Sequence, residues 1–144
     1  MLTVNDLMTV DPVAISPDTT LRRIIELMKK EGCRQLPVVI EKDKLVGIVT
    51  DRDIRLVLNS PFIAQEHDQE EAIMNLMVAE GIMTVNPITV TADTPAYKAA
   101  EMLSIYKFGA LPVVEGETLV GIITGTDVLD HGSATSLEAP IGRP

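Results

Sequence analysis

Apolar and polar positions along this chain follow two alternating periods, and their succession occurs twice. Leu21, Ile24, Ile25 and Met28 recur at i, i+3, i+4 and i+7, while Arg22, Arg23, Glu26, Lys29 and Lys30 fall off that stripe. The spacing predicts an amphipathic helix, capped by the short side-chain oxygen of Asp18 or Thr19 and ended by Gly32. Residues 36–40 and 45–49 are nearly continuous in apolar side chains, which predicts two strands covered on both faces and joined by the charged turn Glu41-Lys42-Asp43-Lys44. A helix from Asp51 to about Leu58 follows, broken by Asn59-Ser60-Pro61. Ahead of the stripe stand a helical turn at 4–7, behind Thr3, and a short strand at 13–15.

After a connector, residues 68–77 read as a helix with Ile73, Leu76 and Met77 inward. The same succession then returns: a turn at 78–82, a strand at 88–90, and a helix capped by Thr94 with Pro95 at its first position. Ala96, Ala99, Ala100 and Leu103 take the places of Leu21, Ile24, Ile25 and Met28, so the stripe is kept while its side chains shrink. Small residues permit close helix approach, which marks this face for contact between copies or subunits. Strands at 111–114 and 119–123 lead to a short helix ending near Asp130. Residues 131–144 hold too few apolar side chains to fold, and a mobile tail is expected there.

The repetition is visible residue by residue. Met8-Thr9-Val10 returns as Met83-Thr84-Val85, Pro12 as Pro87, and Leu36-Pro37-Val38-Val39 as Leu111-Pro112-Val113-Val114, all at a spacing of 75. Leu45-Val46-Gly47-Ile48 then returns as Leu119-Val120-Gly121-Ile122 at a spacing of 74, which places a one-residue length change in the turn between the paired strands. Each copy closes on a glycine, two apolar residues, a threonine and, three positions on, an aspartate: Gly47-Ile48-Val49-Thr50 with Asp53, and Gly121-Ile122-Ile123-Thr124 with Asp127. A strand that rolls directly into a helix leaves its last hydroxyl, the first helical N–H groups and an early carboxylate at one sheet edge, where a polar ligand can be held. Two copies of roughly 60 residues are the unit of organisation. The divisions expected are 1–66, 67–130 and the tail 131–144.

Composition narrows the function classes. With 46% hydrophobic but only 3% aromatic residues, the core must be built from aliphatic side chains. No apolar run approaches the ~20 residues that span a bilayer, and the N-terminus lacks a basic region followed by an apolar one, so a cytoplasmic protein without membrane contact is expected. A net charge of −9 argues against a nucleic-acid groove. The single Cys33 has no disulfide partner and no companions for a metal site. His67 and His131 have no acid or nucleophile at useful spacing, so no catalytic residue and no metal site is expected.

Met-Thr and Pro at the start, Leu-Pro-Val-Val in the middle and Gly-apolar-apolar-Thr-x-x-Asp at the end, twice over residues 1 to about 130, resemble the cystathionine β-synthase (CBS) domain in tandem, a Bateman module. The resemblance implies an α+β fold of two β-α-β-β-α repeats packed by their sheets as a pseudo-twofold pair, dimerising further into a disc. It implies a non-catalytic regulatory module, with an adenosine-type ligand (AMP, ADP, ATP or S-adenosylmethionine) in clefts between the copies and no obligatory cofactor. The effector protein that reads the module is unknown. Carried over by residue, one site combines Thr84, Pro87 and Thr89 with Arg34, Gln35, Thr50, Arg52 and Asp53. The other combines Thr9, Pro12 and Ala14 with Gly109, Ala110, Thr124, Thr126 and Asp127.

Those residue types suit the chemistry. An ionised aspartate only accepts, so it can take two ribose hydroxyls, while Thr50, the helix start, Arg34 and Arg52 offer donors and charge to a phosphate. Apolar side chains such as Val85 or Ile88 can cover the faces of adenine. The Asp127 site lacks the cations, so a polyphosphate is expected at the Asp53 site and a weaker or less charged ligand, or none, at the other. Plainer readings stand beside these: each aspartate as a favourable charge in a first helical turn, Arg34 and Arg52 as members of surface ion pairs, Arg55 as a solvated helix residue. The alternative function is a ligand-free scaffold for dimerisation or protein interaction.

Overall fold

The computed structural model describes residues 1–59, 67–106 and 109–130, which belong to two compact units, one of Val13–Pro87 and the other of Met1–Pro12 with the chain from Ile88 onward. In chain order the elements are α1 (Val4–Leu7), β1 (Thr9–Val10), α2 (Leu21–Glu31), β2 (Gln35–Ile40), a 3-10 turn (Glu41–Asp43), β3 (Lys44–Thr50), α3 (Asp51–Leu58), α4 (His67–Leu76), α5 (Ala79–Ile82), β4 (Thr84–Val85), α6 (Ala96–Ile105), β5 (Ala110–Glu115), β6 (Thr118–Thr124) and α7 (Gly125–Asp130). The fold is α+β. The expected tail at 131–144 and the connector residues 60–66 lie outside the described residues.

Within Val13–Pro87, β3 pairs antiparallel with β2, Leu36 opposite Val49, and with β4, Ile48 opposite Thr84. The other unit repeats this: β6 pairs with β5, Leu111 opposite Ile123, and with β1, Thr9 opposite Ile122. Each unit therefore takes its third strand from the opening segment of the other sequence repeat. Consecutive residues at the strand centres, Leu36-Pro37-Val38 and Gly47-Ile48-Val49, are buried, as continuous apolar runs require. The one-residue length difference sits where expected: Ile40 is opposite Lys44 across a three-residue turn, and Glu115 is opposite Thr118 across a two-residue one. The longer turn holds Lys42 and Asp43 at φ of 56° and 57°, a conformation that the shorter turn gives to Gly116.

The two cores solve one packing problem in opposite ways. Matching backbone bonds clamp a short helix against the start of a long one: the Leu21 N–H donates to Met77 O (2.8 Å) and Ala79 N–H to Thr19 O (2.9 Å), while Ala96 N–H donates to Leu2 O (2.9 Å) and Val4 N–H to Thr94 O (2.8 Å). Where α2 brings Leu21 and Ile24, α5 brings Ala79; where α6 brings Ala96 and Ala99, α1 brings Val4, and all six are fully buried. The alanine stripe is thus a contact between sequence copies, as expected: Ala96 and Ala99 lie in one unit's core with Val4, which comes from the opening segment of the other repeat.

Other expectations shift by a residue or an orientation. No strand forms at 13–15 or 88–90; Ile15 and Val90 each make a single parallel bridge, to Val38 and Val113, and the paired opening segments are β1 and β4 instead. Thr20, not Asp18 or Thr19, caps α2 by accepting from Arg23 N–H, since the Thr19 hydroxyl is taken by Ser16 N–H (3.1 Å). Likewise the Thr94 hydroxyl accepts from Thr91 N–H (3.1 Å), and Pro95 is the cap of α6, which starts at Ala96. Leu76 is 77% exposed and not inward, because α4 meets α2 through Glu71 and Asn75, both bound by Arg22, and turns Ile73, Met74 and Met77 to the core.

Candidate functional site

The Thr-x-x-Asp spacing is first of all a capping box. Thr50 ends β3 and starts α3; its hydroxyl accepts from Asp53 N–H (3.1 Å), and Asp53 Oδ2 accepts from Thr50 N–H (2.8 Å). Thr124 and Asp127 repeat the arrangement at 3.1 and 2.9 Å. Two otherwise unpaired donors are satisfied in each box, and the carboxylate is pinned half-buried at a strand–helix junction. The cap uses Oδ2 alone. Since each carboxylate oxygen carries two lone pairs, a pair of ribose hydroxyls is compatible with the cap staying closed.

The Met-Thr motif now has a physical partner. A Cβ on Gly47 would lie 2.5 Å from Met83 Sδ and 3.0 Å from Thr84 O, and one on Gly121 would lie 2.6 Å from Met8 Sδ and 3.0 Å from Thr9 O. Only glycine lets the opening segment lie this close across the strand that leads to Thr50 or Thr124. Beyond that contact the chain turns through a left-handed residue, Asn86 or Asp11, both at φ 48°. Gly47→Ala is therefore expected to push β4 off β3, costing about 1–3 kcal/mol in denaturant unfolding, an overpacking penalty, and displacing Thr84 and Val85 from their partners Ile48 and Gly47. An unchanged midpoint would show that the segment yields freely.

Charge distinguishes the two junctions. Gln35 is opposite Thr50, and Arg34 O accepts from Asp51 N–H (2.8 Å), so the start of β2 lies against the start of α3. Arg34 and Arg52 are exposed, and among the described residues neither forms an ion pair. Arg55 is 3.7 Å from Asp51 in an exposed i, i+4 pair, as befits a solvated helix residue. At the second junction Ala110 is opposite Thr124, with exposed Gly109 before it and exposed Thr126 after Gly125, so hydroxyl and backbone groups stand where the first has guanidinium groups.

Thr84, Pro87, Arg34, Gln35, Thr50, Arg52 and Asp53 thus belong to one compact unit, and Thr9, Pro12, Gly109, Ala110, Thr124, Thr126 and Asp127 to the other. Thr89 and Ala14 fall on the opposite sides of the division from their expected groups. Val85 and Val10, on the strands beside the two boxes, are each 61% exposed. Cys33, next to Arg34, packs half-buried against its unit's core; burial, aided by Glu31, pushes its thiol up, against two opposing backbone hydrogen bonds. Among the described residues no cluster of His, Cys, Asp or Glu is placed to hold a metal, and no helix is long and apolar enough to cross a membrane. The glycine–methionine contacts were missed as site-building features, although their signal, a Met-Thr pair recurring with each Gly, is in the sequence.

Comparison with known proteins adds the family. The CBS domain model matches the chain twice, at residues 4–60 and 78–134. A CBS domain-containing protein of Dictyostelium discoideum is 34% identical over 128 residues, which cover 88% of both chains. Inosine-5'-monophosphate dehydrogenase of Aquifex aeolicus is 32% identical over 123 residues, but those are 85% of this chain and only 23% of the enzyme. Among solved structures, CBSX2 of Arabidopsis thaliana in complex with AMP superposes with a TM-score of 0.76 at 30% identity, covering 91% of this chain and 96% of that one. The CBS domain pair of protein MJ0100, in complex with 5'-methylthioadenosine and S-adenosyl-L-methionine, gives 0.75 at 28% identity, covering 92% of this chain and all of that one.

Proposed function

As the chain belongs to the CBS domain family and carries that domain in tandem, we propose that it is a non-catalytic regulatory module whose Asp53 junction binds an adenosine nucleotide. The observation that carries this reading is the pinned Asp53 carboxylate beside two exposed arginines that form no ion pair among the described residues, at the end of the strand that β4 pairs with. In the bound arrangement Asp53 Oδ1 and a second lone pair of Oδ2 accept from the ribose, Val85 covers the adenine, and Thr50, Arg34 and Arg52 meet the phosphates. The AMP held by one structural neighbour and the adenosyl compounds held by another support the ligand class. The Asp127 junction, without cations, takes a less charged adenosyl ligand or a weaker one. Binding regulates only through a difference in affinity between states, which a partner protein in the cytoplasm then reads.

One observation favours the alternative of a ligand-free scaffold: both aspartates already have a structural task in their caps, so their spacing does not require a ligand. Calorimetric titration with AMP, ADP, ATP and S-adenosylmethionine, paired with thermal melts, separates the two. A ligand at a hundredfold excess over its Kd should add about 2.7 kcal/mol and raise the Tm by several degrees. Flat titrations and an unmoved Tm with all four would leave the scaffold.

A further inference from the structure

The thioethers of Met83 and Met8 lie flat on the backbone of the strands that lead to Thr50 and Thr124. Met83 Sδ and Cγ would stand 2.5 and 3.0 Å from a Cβ on Gly47, and Met8 Sδ and Cγ 2.6 and 3.3 Å from one on Gly121, so each thioether fills the space that the missing side chain leaves. An unbranched, polarizable side chain suits so shallow a gap. Both methionines are half-buried, packed against their unit's core and still within reach of a small solute. Two others mark the limits: Met28, 8% exposed, is shielded, and Met1, 74% exposed, stands open to solvent.

The strand behind Met83 has little else to hold it. β4 pairs only Thr84 with Ile48 and Val85 with Gly47, and the Asn86 N–H reaches Val46 O at 3.4 Å before the chain turns away at φ 48°. With so short a ladder, the contact of Met83 with Gly47 carries much of the hold on β3. A sulfoxide oxygen is polar and has to find a donor, and over Gly47 the packing leaves it no room, so an oxidised Met83 has to leave the contact. We propose that Met83 is an oxidation-sensitive latch: its conversion to the sulfoxide releases β4 from β3, and Met8 does the same for β1. With hydrogen peroxide as the oxidant, a sulfur lone pair attacks one peroxide oxygen and an S–O bond forms as the O–O bond breaks. The departing hydroxide takes the proton of the new S–OH, leaving sulfoxide and water. A thiol-dependent methionine sulfoxide reductase restores the thioether, two thiols becoming a disulfide while the oxygen leaves as water. Because Thr84 and Val85 belong to the Asp53 junction, release of β4 lowers its affinity, a consequence that rests on the nucleotide reading above.

Peroxide titration of the whole chain tests this, with peptide mass spectrometry to locate the sulfoxides and circular dichroism to confirm that each variant is folded. Met83 should oxidise before Met28, and its oxidation should speed amide exchange at residues 84–86 by about tenfold or more while the centre of the β2–β3 ladder keeps its protection. Reductase with a thiol should return the original exchange. Met83→Leu, which conserves volume, should show the same exchange at 84–86 before and after peroxide. Met83→Gln should reproduce the oxidised state without peroxide. A Met83 that resists peroxide as long as Met28 does overturns the latch, as does a folded Met83→Gln variant with unchanged exchange at 84–86, or a Met83→Leu variant that responds to peroxide as fully as the unmodified protein. Calorimetric titration with AMP before and after oxidation adds the consequence for the site, a loss of about tenfold as the contact area of β4 is withdrawn. If the unmodified protein binds no nucleotide, that reading fails and the exchange measurement still decides the latch. Undiminished binding by protein oxidised at Met83, with exchange at 84–86 accelerated, overturns the link between latch and site alone.

Discussion

Asp53→Ala is expected to weaken AMP or ATP binding by about tenfold to a hundredfold, the loss of charge-assisted hydrogen bonds worth ~1.5–3 kcal/mol, whereas Asp127→Ala should change that affinity by less than about twofold. The capping geometry sharpens the comparison. Both aspartates accept from the N–H of their own threonine at nearly the same distance, 2.8 and 2.9 Å, so both variants should lose a similar amount of stability, about 0.5–2 kcal/mol. Stability thus serves as the internal control for affinity. Calorimetric titration of the two variants beside denaturant unfolding provides both quantities. Equal losses of affinity, or none from Asp53→Ala despite the lost cap, would remove the asymmetry on which the phosphate assignment depends.

The second large effect concerns the cores. Leu21→Ala should cost about 2–5 kcal/mol, because a fully buried leucine is replaced by a residue that leaves a cavity between α2 and α5. Ala79→Val alone should cost about 1–3 kcal/mol by overpacking. Together they recreate the arrangement of the other unit, small on the long helix and larger on the short one, as Ala96 and Val4 already do. The double variant is therefore expected to be more stable than the sum of its parts predicts, by about 0.5–3 kcal/mol, in a double-mutant cycle measured by urea unfolding. Strict additivity would mean that the two positions do not share one space.

How much was legible in the sequence depended on whether the deciding contact was local. The stripe Leu21, Ile24 and Met28, the apolar strands and the length change between them are periodic or adjacent features, and the structure keeps them. The tandem CBS organisation was legible because several short motifs recur together. The strands at Thr9–Val10 and Thr84–Val85 were not, since two residues have no period and their pairing is set by a distant glycine. The alanine stripe was legible as a contact between copies, but its counterpart, Val4, lies far away in sequence, and nothing local shows that the volume missing from α6 is supplied by α1. Leu76 misled for a related reason, as α4 turns Ile73 and Met74 to the core and its contact with Arg22 runs through Glu71 and Asn75, a pairing with a residue far away in sequence. At the candidate site, composition marked Arg34 and Arg52 as cations, but only the three-dimensional arrangement shows both exposed at one strand–helix junction, with no ion pair among the described residues.

The contact of Met83 and Thr84 over Gly47, with its mirror over Gly121, bears on how such a polypeptide is assembled. Neither repeat holds a complete sheet in its own stretch of sequence, so one repeat by itself is left with an open edge that an identical molecule is shaped to fill. Joining two repeats in a single chain makes the missing strand a tethered neighbour at an effective concentration on the order of millimolar, and folding no longer waits on an encounter between molecules.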